Sequence, residues 1–155
     1  MRIVNTINNI LDAMVEDTNC DLASYQYNNL AKGNVRLDNK LPSPTALFIQ
    51  ITDFKLDVSL LTQKEKCSVF ISFLEKEKKI DSEAVDQDVI IDRMTDIAVD
   101  FLQRLKENGS IRILNDDIKL KSVFFQSDSN RSGVTIELEL EERQGQCISS
   151  DNSSI

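Results

Sequence analysis

The sequence predicts an α+β domain in which a mainly antiparallel sheet of about four strands packs against one long helix, with a further helix at the N-terminus. Two segments of the 155 residues repeat apolar side chains at helical spacing, and two pairs of segments alternate apolar and polar residues as strands do. The order helix, strands, helix, strands favours a single sheet. We expect the long helix on one face, and the first helix or a neighbouring subunit on the other.

The first helix is predicted over residues 3–16, where one apolar stripe recurs at helical spacing. The stripe consists of Ile3, Ile7, Ile10, Leu11 and Met14. Residues 18–44, here called the arm, are predicted to be irregular because they are rich in Asn, Asp and Ser and contain Gly33 and both prolines. Residues 36–38 are a candidate short strand within it. A long irregular segment in a compact domain is typically functional or mobile.

A first hairpin is predicted from two alternating segments, residues 47–51 and 54–60, followed by an apolar run over residues 67–74. The polar residues 62–65 between them are expected to form its loop. A turn centred there places three apolar pairs on one face of the sheet. The expected pairs are Val58 with Val69, Leu56 with Ile71, and Phe54 with Phe73.

The long helix is predicted to begin after a cap at Asp81 or Ser82 and to stop at Asn108-Gly109, with Gly109 in the left-handed C′ position. Phe101 lies in the middle of its apolar face and is expected to be buried against the sheet. The whole predicted face is Val85, Val89, Ile90, Met94, Ile97, Ala98, Phe101, Leu102 and Leu105.

A second hairpin is predicted from residues 118–126 and 133–142, and the remaining residues 144–155 are expected to be a polar, flexible tail to a single domain of residues 1–143. A turn centred on Ser129 matches apolar pairs on one face and opposite charges on the other. The expected pairs are Leu120 with Leu138, Ser122 with Ile136, Phe124 with Val134, Lys119 with Glu139, and Lys121 with Glu137.

The composition favours a protein that is not an enzyme, with no catalytic residue, metal or cofactor. There is no histidine, the three cysteines form no CxxC pair, and the four glycines form no phosphate-binding loop. Two acidic series are interpreted as solvated faces that bind no metal. They are Asp88, Asp92 and Asp96 on the long helix, and Glu137, Glu139 and Glu141 on a strand.

The net charge of −8, from 18 basic and 26 acidic residues, argues against a protein that wraps nucleic acid. It is compatible with DNA sliding past an acidic surface. No apolar run has the length of a membrane span, and the N-terminus lacks the apolar block of a signal peptide. We therefore expect synthesis in the cytoplasm and no membrane association.

The layout resembles the tail terminator and tail completion proteins of tailed bacteriophages, with the related neck and head–tail joining subunits. The resemblance covers roughly residues 3–140 and rests on the order and length of elements. These are the N-terminal amphipathic helix, the irregular stretch ending in Pro42-Ser43-Pro44, the strands TALFIQI and SVFISF, the long helix opened by Asp86-Gln87-Asp88, and the terminal strand GVTIELEL. Two features depart from that family: the arm is long, and the serine-rich tail matches no element of it.

The resemblance implies a virion protein, assembled in the host cytoplasm, that forms a cyclic homo-oligomer, a hexamer or dodecamer. Such a ring ends the tail tube or joins it to the neck, contacts tail-tube or neck proteins, and lets DNA pass without specific binding. The family implies no catalytic residues. The alternative is a non-viral adaptor or chaperone-like module that acts as a monomer or dimer.

We expect the arm and the sheet edges to carry the contacts between subunits. Two interpretations of the tyrosines stay open: they hold a partner from an exposed loop, or they tuck against the sheet. Deleting residues 21–39 is expected to abolish incorporation into tails and to leave the core folded. The predicted interface residues are Tyr25, Tyr27, Arg36, Leu37, Pro42 and Pro44.

Overall fold

The computed structural model describes residues 2–29, 40–50, 55–58, 62–77, 84–125, 130–143 and 146–147. Within them the chain forms two helices and eight strands. The helices are α1 (Arg2–Glu16) and α2 (Ala84–Asn108). The strands are β1 (Ser24–Asn29), β2 (Thr45–Gln50), β3 (Lys55–Val58), β4 (Thr62–Lys76), β5 (Ile111–Ile113), β6 (Leu120–Phe125), β7 (Arg131–Glu142) and β8 (Gln146–Cys147).

All the described strands belong to one mixed sheet built around β4, which is 15 residues long. β2 and β3 follow one another along one side of β4, and β7 and β8 follow one another along the other. β1 lies outside β2 and parallel to it, whereas β5 and β6 lie outside β7. The α+β class is confirmed, but the sheet is larger than the predicted four strands and contains a parallel pair.

Both described helices pack on the same face of the sheet. The buried residues Val69, Ile71 and Phe73 of β4 form one apolar cluster with the stripes of α1 and α2. The Phe101 ring lies 5.8 Å from the Phe73 ring, centroid to centroid, and Phe101 is fully buried, as predicted. The expectation that α1 covers the second face is therefore wrong, because its apolar stripe is already shared with α2.

The helix predictions are otherwise confirmed within the described residues, and the predicted cap at Asp81 or Ser82 lies outside them. All five residues of the predicted α1 stripe are buried. α2 stops at Asn108, and Gly109 has a φ of +75°, which a side chain would strain. One member of the predicted α2 face is wrong: Val89 is 48% exposed, because it lies on the turn of the helix away from the sheet. The Val85 side chain lies outside the described residues.

The predicted register of the first hairpin is wrong. Val69 pairs with Gln50 of β2, while Leu56 of β3 pairs with Glu65 and Val58 with Gln63. Residues 62–65 are therefore strand, not loop. β2 is the better partner for the apolar half of β4, because Thr45, Ala46, Leu47 and Phe48 are all buried. β3 therefore pairs with the polar half of β4, residues 63–66. Phe54 lies outside the described residues.

The second hairpin is displaced by two residues from its predicted register. Leu120 pairs with Ile136 rather than Leu138, and Lys121 pairs with Thr135 rather than Glu137. The cause is the segment after β5. The Leu114 N–H donates to Glu139 O, and the Asn115 amide then bonds both Glu137 O (3.2 Å) and the Glu139 N–H (2.7 Å). Ile113 and Asn115 therefore occupy the part of β7 along which the first residues of β6 were expected.

Part of the predicted flexible tail is described. Gln146–Cys147 pairs with Thr62 and Gln63 at the start of β4, and the remaining residues of 144–155 lie outside the described ones. Neither of the two described helices combines the length and apolarity that crossing a membrane requires.

Candidate subunit interface

Tyr25 and Tyr27 lie on β1, half-buried, with their side chains against the core. The Tyr27 ring is 4.8 Å from the Phe48 ring, and its hydroxyl donates to Gln50 Oε1 at 2.9 Å. Burial, as the larger cause, and the hydrogen bond to the Asp12 carboxylate together raise the pKa of Tyr25 to about 12. Of the two interpretations, the structure shows the one in which both tyrosines tuck against the sheet.

The two prolines of the arm belong to a clasp that joins three strands. The carbonyl of Pro44 accepts from the backbone N–H groups of Ala23 and Ser24, just before β1. The Ser24 hydroxyl donates to Pro42 O at 2.6 Å, and the Lys76 N–H at the end of β4 donates to Ser43 Oγ at 2.8 Å. The clasp therefore fixes the parallel pairing of β1 with β2 within the chain itself.

Residues 21–39 are consequently not a separable segment. They include β1 and the buried Leu22, so deleting them would remove a strand and part of the core. The expectation that this deletion leaves the core folded is wrong. Arg36 and Leu37, and the candidate strand over residues 36–38, lie outside the described residues. The structure thus brings together Tyr25, Tyr27, Pro42 and Pro44 at one edge of the sheet.

Among the described strands, β1 lies at one side of the sheet with β2 as its partner, and β5 and β6 lie at the other side with β7 as theirs. An edge strand whose outer backbone groups are unpaired is a template for pairing with another chain. Between β5 and β6 no strand pairs with β7. There the Asn115 side chain forms hydrogen bonds with the β7 backbone instead.

Two apolar surfaces stand out at opposite ends of β4. At the first end, β3 and residues 62–65 of β4 form a projection, here called the tip, in which Leu56 is 47% and Val58 is 61% exposed. At the other end, Leu120 is 41% and Phe124 is 45% exposed on β6. The sequence did not predict either surface. An alternating pattern shows that these four residues lie on the apolar face of a strand, but it does not show whether another element covers that face.

A cluster of charges joins α1 to the sheet at the base of the tip. The Glu65 carboxylate accepts from the backbone N–H groups of Arg2 (3.1 Å) and Ile3 (3.4 Å) and so caps the helix. The Arg2 guanidinium bonds both oxygens of Glu142, and Glu142 also accepts from the Glu65 N–H at 2.7 Å. These bonds lower the pKa of Glu142, the Arg2 hydrogen bond being the largest cause.

Glu141 departs from the predicted solvated face of β7. It is buried and lies 3.7 Å from each of the Lys64 and Lys66 ammonium groups and 3.5 Å from the Arg112 guanidinium. Glu137 and Glu139 are exposed, as predicted. Asp88, Asp92 and Asp96 are likewise exposed along α2. Three cations thus surround one buried carboxylate at the base of the tip.

Among the residues that the structure describes, no three His, Cys, Asp or Glu side chains are grouped to hold a metal ion. Burial raises the pKa of the Cys67 thiol to about 11, and it also raises the pKa of Cys20. Both thiols are therefore protonated at neutral pH, whereas the reactive form of cysteine is the thiolate. The Cys147 side chain lies outside the described part of the chain.

The chemistry that these described residues offer is that of contact surfaces: two exposed apolar patches and ion pairs that join α1 and the strands. Comparison with known proteins gave no match to any family model, and none to any curated protein.

Proposed function

We propose that this chain is a structural subunit of a tailed-phage tail or neck, which assembles with copies of itself into a ring that ends the tail tube or joins it to the head. The observation that carries the proposal is the placement of exposed apolar surface. Exposed apolar side chains lie near the two opposite ends of β4, the strand around which the described sheet is built.

Surfaces at opposite places on one molecule favour a head-to-tail contact, in which one surface meets the other on the next copy. Such heterologous contacts generate closed rings when the rotation between neighbours closes. An isologous dimer, by contrast, needs one self-complementary patch. The acidic charge of −8 supports the part of the proposal in which DNA passes through the ring without specific binding.

The layout resemblance supplies the phage context of the proposal, and the described fold keeps its main features. The amphipathic α1, the strands β2 and β4, the long α2 and the terminal strand β7 follow one another in the order on which the resemblance rests. The additional strand β1 lies where the arm departs from that family.

The test is light scattering and negative-stain electron microscopy of the purified full chain, alone and mixed with tail-tube protein. Rings of defined order, or rings that appear when tail-tube protein is added, support the proposal. A chain that stays monomeric or forms a closed dimer under both conditions contradicts it and favours the adaptor or chaperone-like module instead. Substituting Arg36 and Leu37 with alanine then tests the predicted interface residues of the arm, with a loss of ring formation as the expected result.

A further inference from the structure

We propose that the tip of one copy docks against the apolar end of β6 on the next copy, so that Leu56 and Val58 enter a groove between β6 and α2. This inference rests on the proposed function, for which it names the contact between subunits. The occupant of the groove is thus a second copy of this chain.

The tip extends beyond the layer of helices. Glu65 caps the first residues of α1, and Leu56 pairs directly with Glu65. Val58 pairs with Gln63, two residues further from the helix. Residues paired across two strands share a face, so both aliphatic side chains lie on the helix side of the sheet at a place that α1 does not reach. Their exposure follows from this position.

The groove lies at the other end of the same face. Gln87 and Ile91 of α2 and Phe124 of β6 line a space of about 330 Å³. Phe124 pairs with Ser132, which pairs in turn with Glu75 near the end of β4. At about 3.3 Å per residue along β4, tip and groove are on the order of 30 Å apart. One molecule therefore cannot fill its own groove with its own tip.

The charges of the two surfaces are complementary. Lys55 is exposed next to Leu56 in the chain, with its side chain on the opposite face of the tip. Asp88 and Asp92 are exposed on α2. They follow Gln87 and Ile91, which line the groove, so each lies about 100° further round the helix than the lining residue before it. A basic, aliphatic tip thus meets a groove with an aromatic wall and an acidic rim. Rim charges of opposite sign steer such an encounter and fix its register.

Sedimentation velocity of the full chain at up to about 1 mM tests the contact, since even a millimolar Kd populates complexes there. The tip variant L56D/V58D and the groove variant F124D are expected to lower the association constant by more than about tenfold. Ala13→Asp places the same charge on an exposed residue of α1 and is expected to leave association unchanged. Circular dichroism melts of each variant confirm that it is folded.

The decisive sample is an equimolar mixture of the tip and groove variants. The groove variant keeps an intact tip, and the tip variant keeps an intact groove. One molecule of each can therefore form a single contact, and the expected result is a heterodimer that adds no further copies. Charge reversal gives a second test: K55E weakens association with the wild type, and D88K/D92K in the other copy restores it.

The inference is overturned if the wild type is monomeric at the highest concentration, if either variant assembles as the wild type does, or if the mixture stays monomeric. Its failure is distinguishable from failure of the proposed function. Rings that persist in both variants overturn this contact and leave the ring subunit standing, whereas a wild type that forms no ring even with tail-tube protein counts against the proposed function itself.

Discussion

Arg2 and Glu142 form a two-pronged ion pair between residues 140 positions apart in the sequence. The Arg2 Nε donates to one carboxylate oxygen at 2.7 Å and Nη2 donates to the other at 2.6 Å. Planar, bidentate pairs of this kind are the strong class of charged hydrogen bonds. The pair joins the first turn of α1 to the last residue of β7.

Replacing Arg2 with alanine is expected to lower the free energy of unfolding by about 1–3 kcal/mol, because it leaves the nearly buried Glu142 carboxylate without its main partner. Urea unfolding measures the change. Arg112→Ala is the matched control, since that arginine is largely exposed and Glu141 keeps two lysines; its expected cost is about 0–1 kcal/mol. Equal costs for the two variants would contradict the assigned role of Arg2.

The same pair predicts a dependence of stability on pH. The pKa of Glu142 is lowered in the folded chain, first by the Arg2 hydrogen bond and also by the Glu65 N–H, so folding favours the ionised form. The resulting stabilisation is fully present above the unfolded pKa of about 4.3 and is lost as the pH falls through the folded pKa. The wild type should therefore exceed Glu142→Gln in stability at pH 7, and the difference should shrink on acidification. A gap that stays constant down to the acid transition would refute this.

Phe101→Ala is expected to cost about 3–5 kcal/mol, because the ring is fully buried against Phe73 and its removal leaves a cavity. Val99→Ala on the same helix is the control: Val99 is exposed, so a change within about 0.5 kcal/mol is expected. Thermal melts of the two variants give the comparison. A Phe101 variant that melts with the wild type would show that the helix does not pack on β4 as described.

Gly133 lies on β7 where the β4 backbone leaves no room for a side chain. A Cβ at this position would lie 1.8 Å from the Phe73 carbonyl oxygen, which is backbone and cannot rotate away. Gly133→Ala is therefore expected to cost about 3 kcal/mol or more, since one of the two strands must shift. Gly109→Ala meets only an ordinary contact with the Glu107 carbonyl oxygen at 3.9 Å and the strain of a positive φ, so about 1 kcal/mol is expected. Denaturant unfolding of the pair should show that order, and the reverse order would be evidence against the close approach.

The helices could be predicted from the sequence because their apolar spacing has one structural interpretation. The Ile3–Met14 stripe and the residues around Phe101 both lie where helical periodicity places them. The strand registers could not be predicted from the sequence, because a shift of two residues keeps every side chain on the same face of the sheet. Leu120 pairs with Ile136 instead of Leu138, and both partners satisfy the same alternation.

The strand that contains the two tyrosines of the arm could not be predicted for a related reason. Tyr25 and Tyr27 stand in a segment rich in turn-forming residues, so composition indicated a loop, and only the parallel pairing with β2 makes that segment a strand. Leu56 and Phe124 were counted as core because alternation describes a face and not what covers it. The Asn115 amide that replaces a stretch of strand has no signature in a single sequence.

The capping of α1 has a consequence for the order in which the chain acquires its structure during synthesis. α1 leaves the ribosome before both of the carboxylates that hold its first turn, Glu65 and Glu142. Its buried face also needs β4 and α2, which are translated later. The first helix to be synthesised is thus among the last to dock. In a nascent chain that ends before Glu142, the ion pair of Arg2 cannot form.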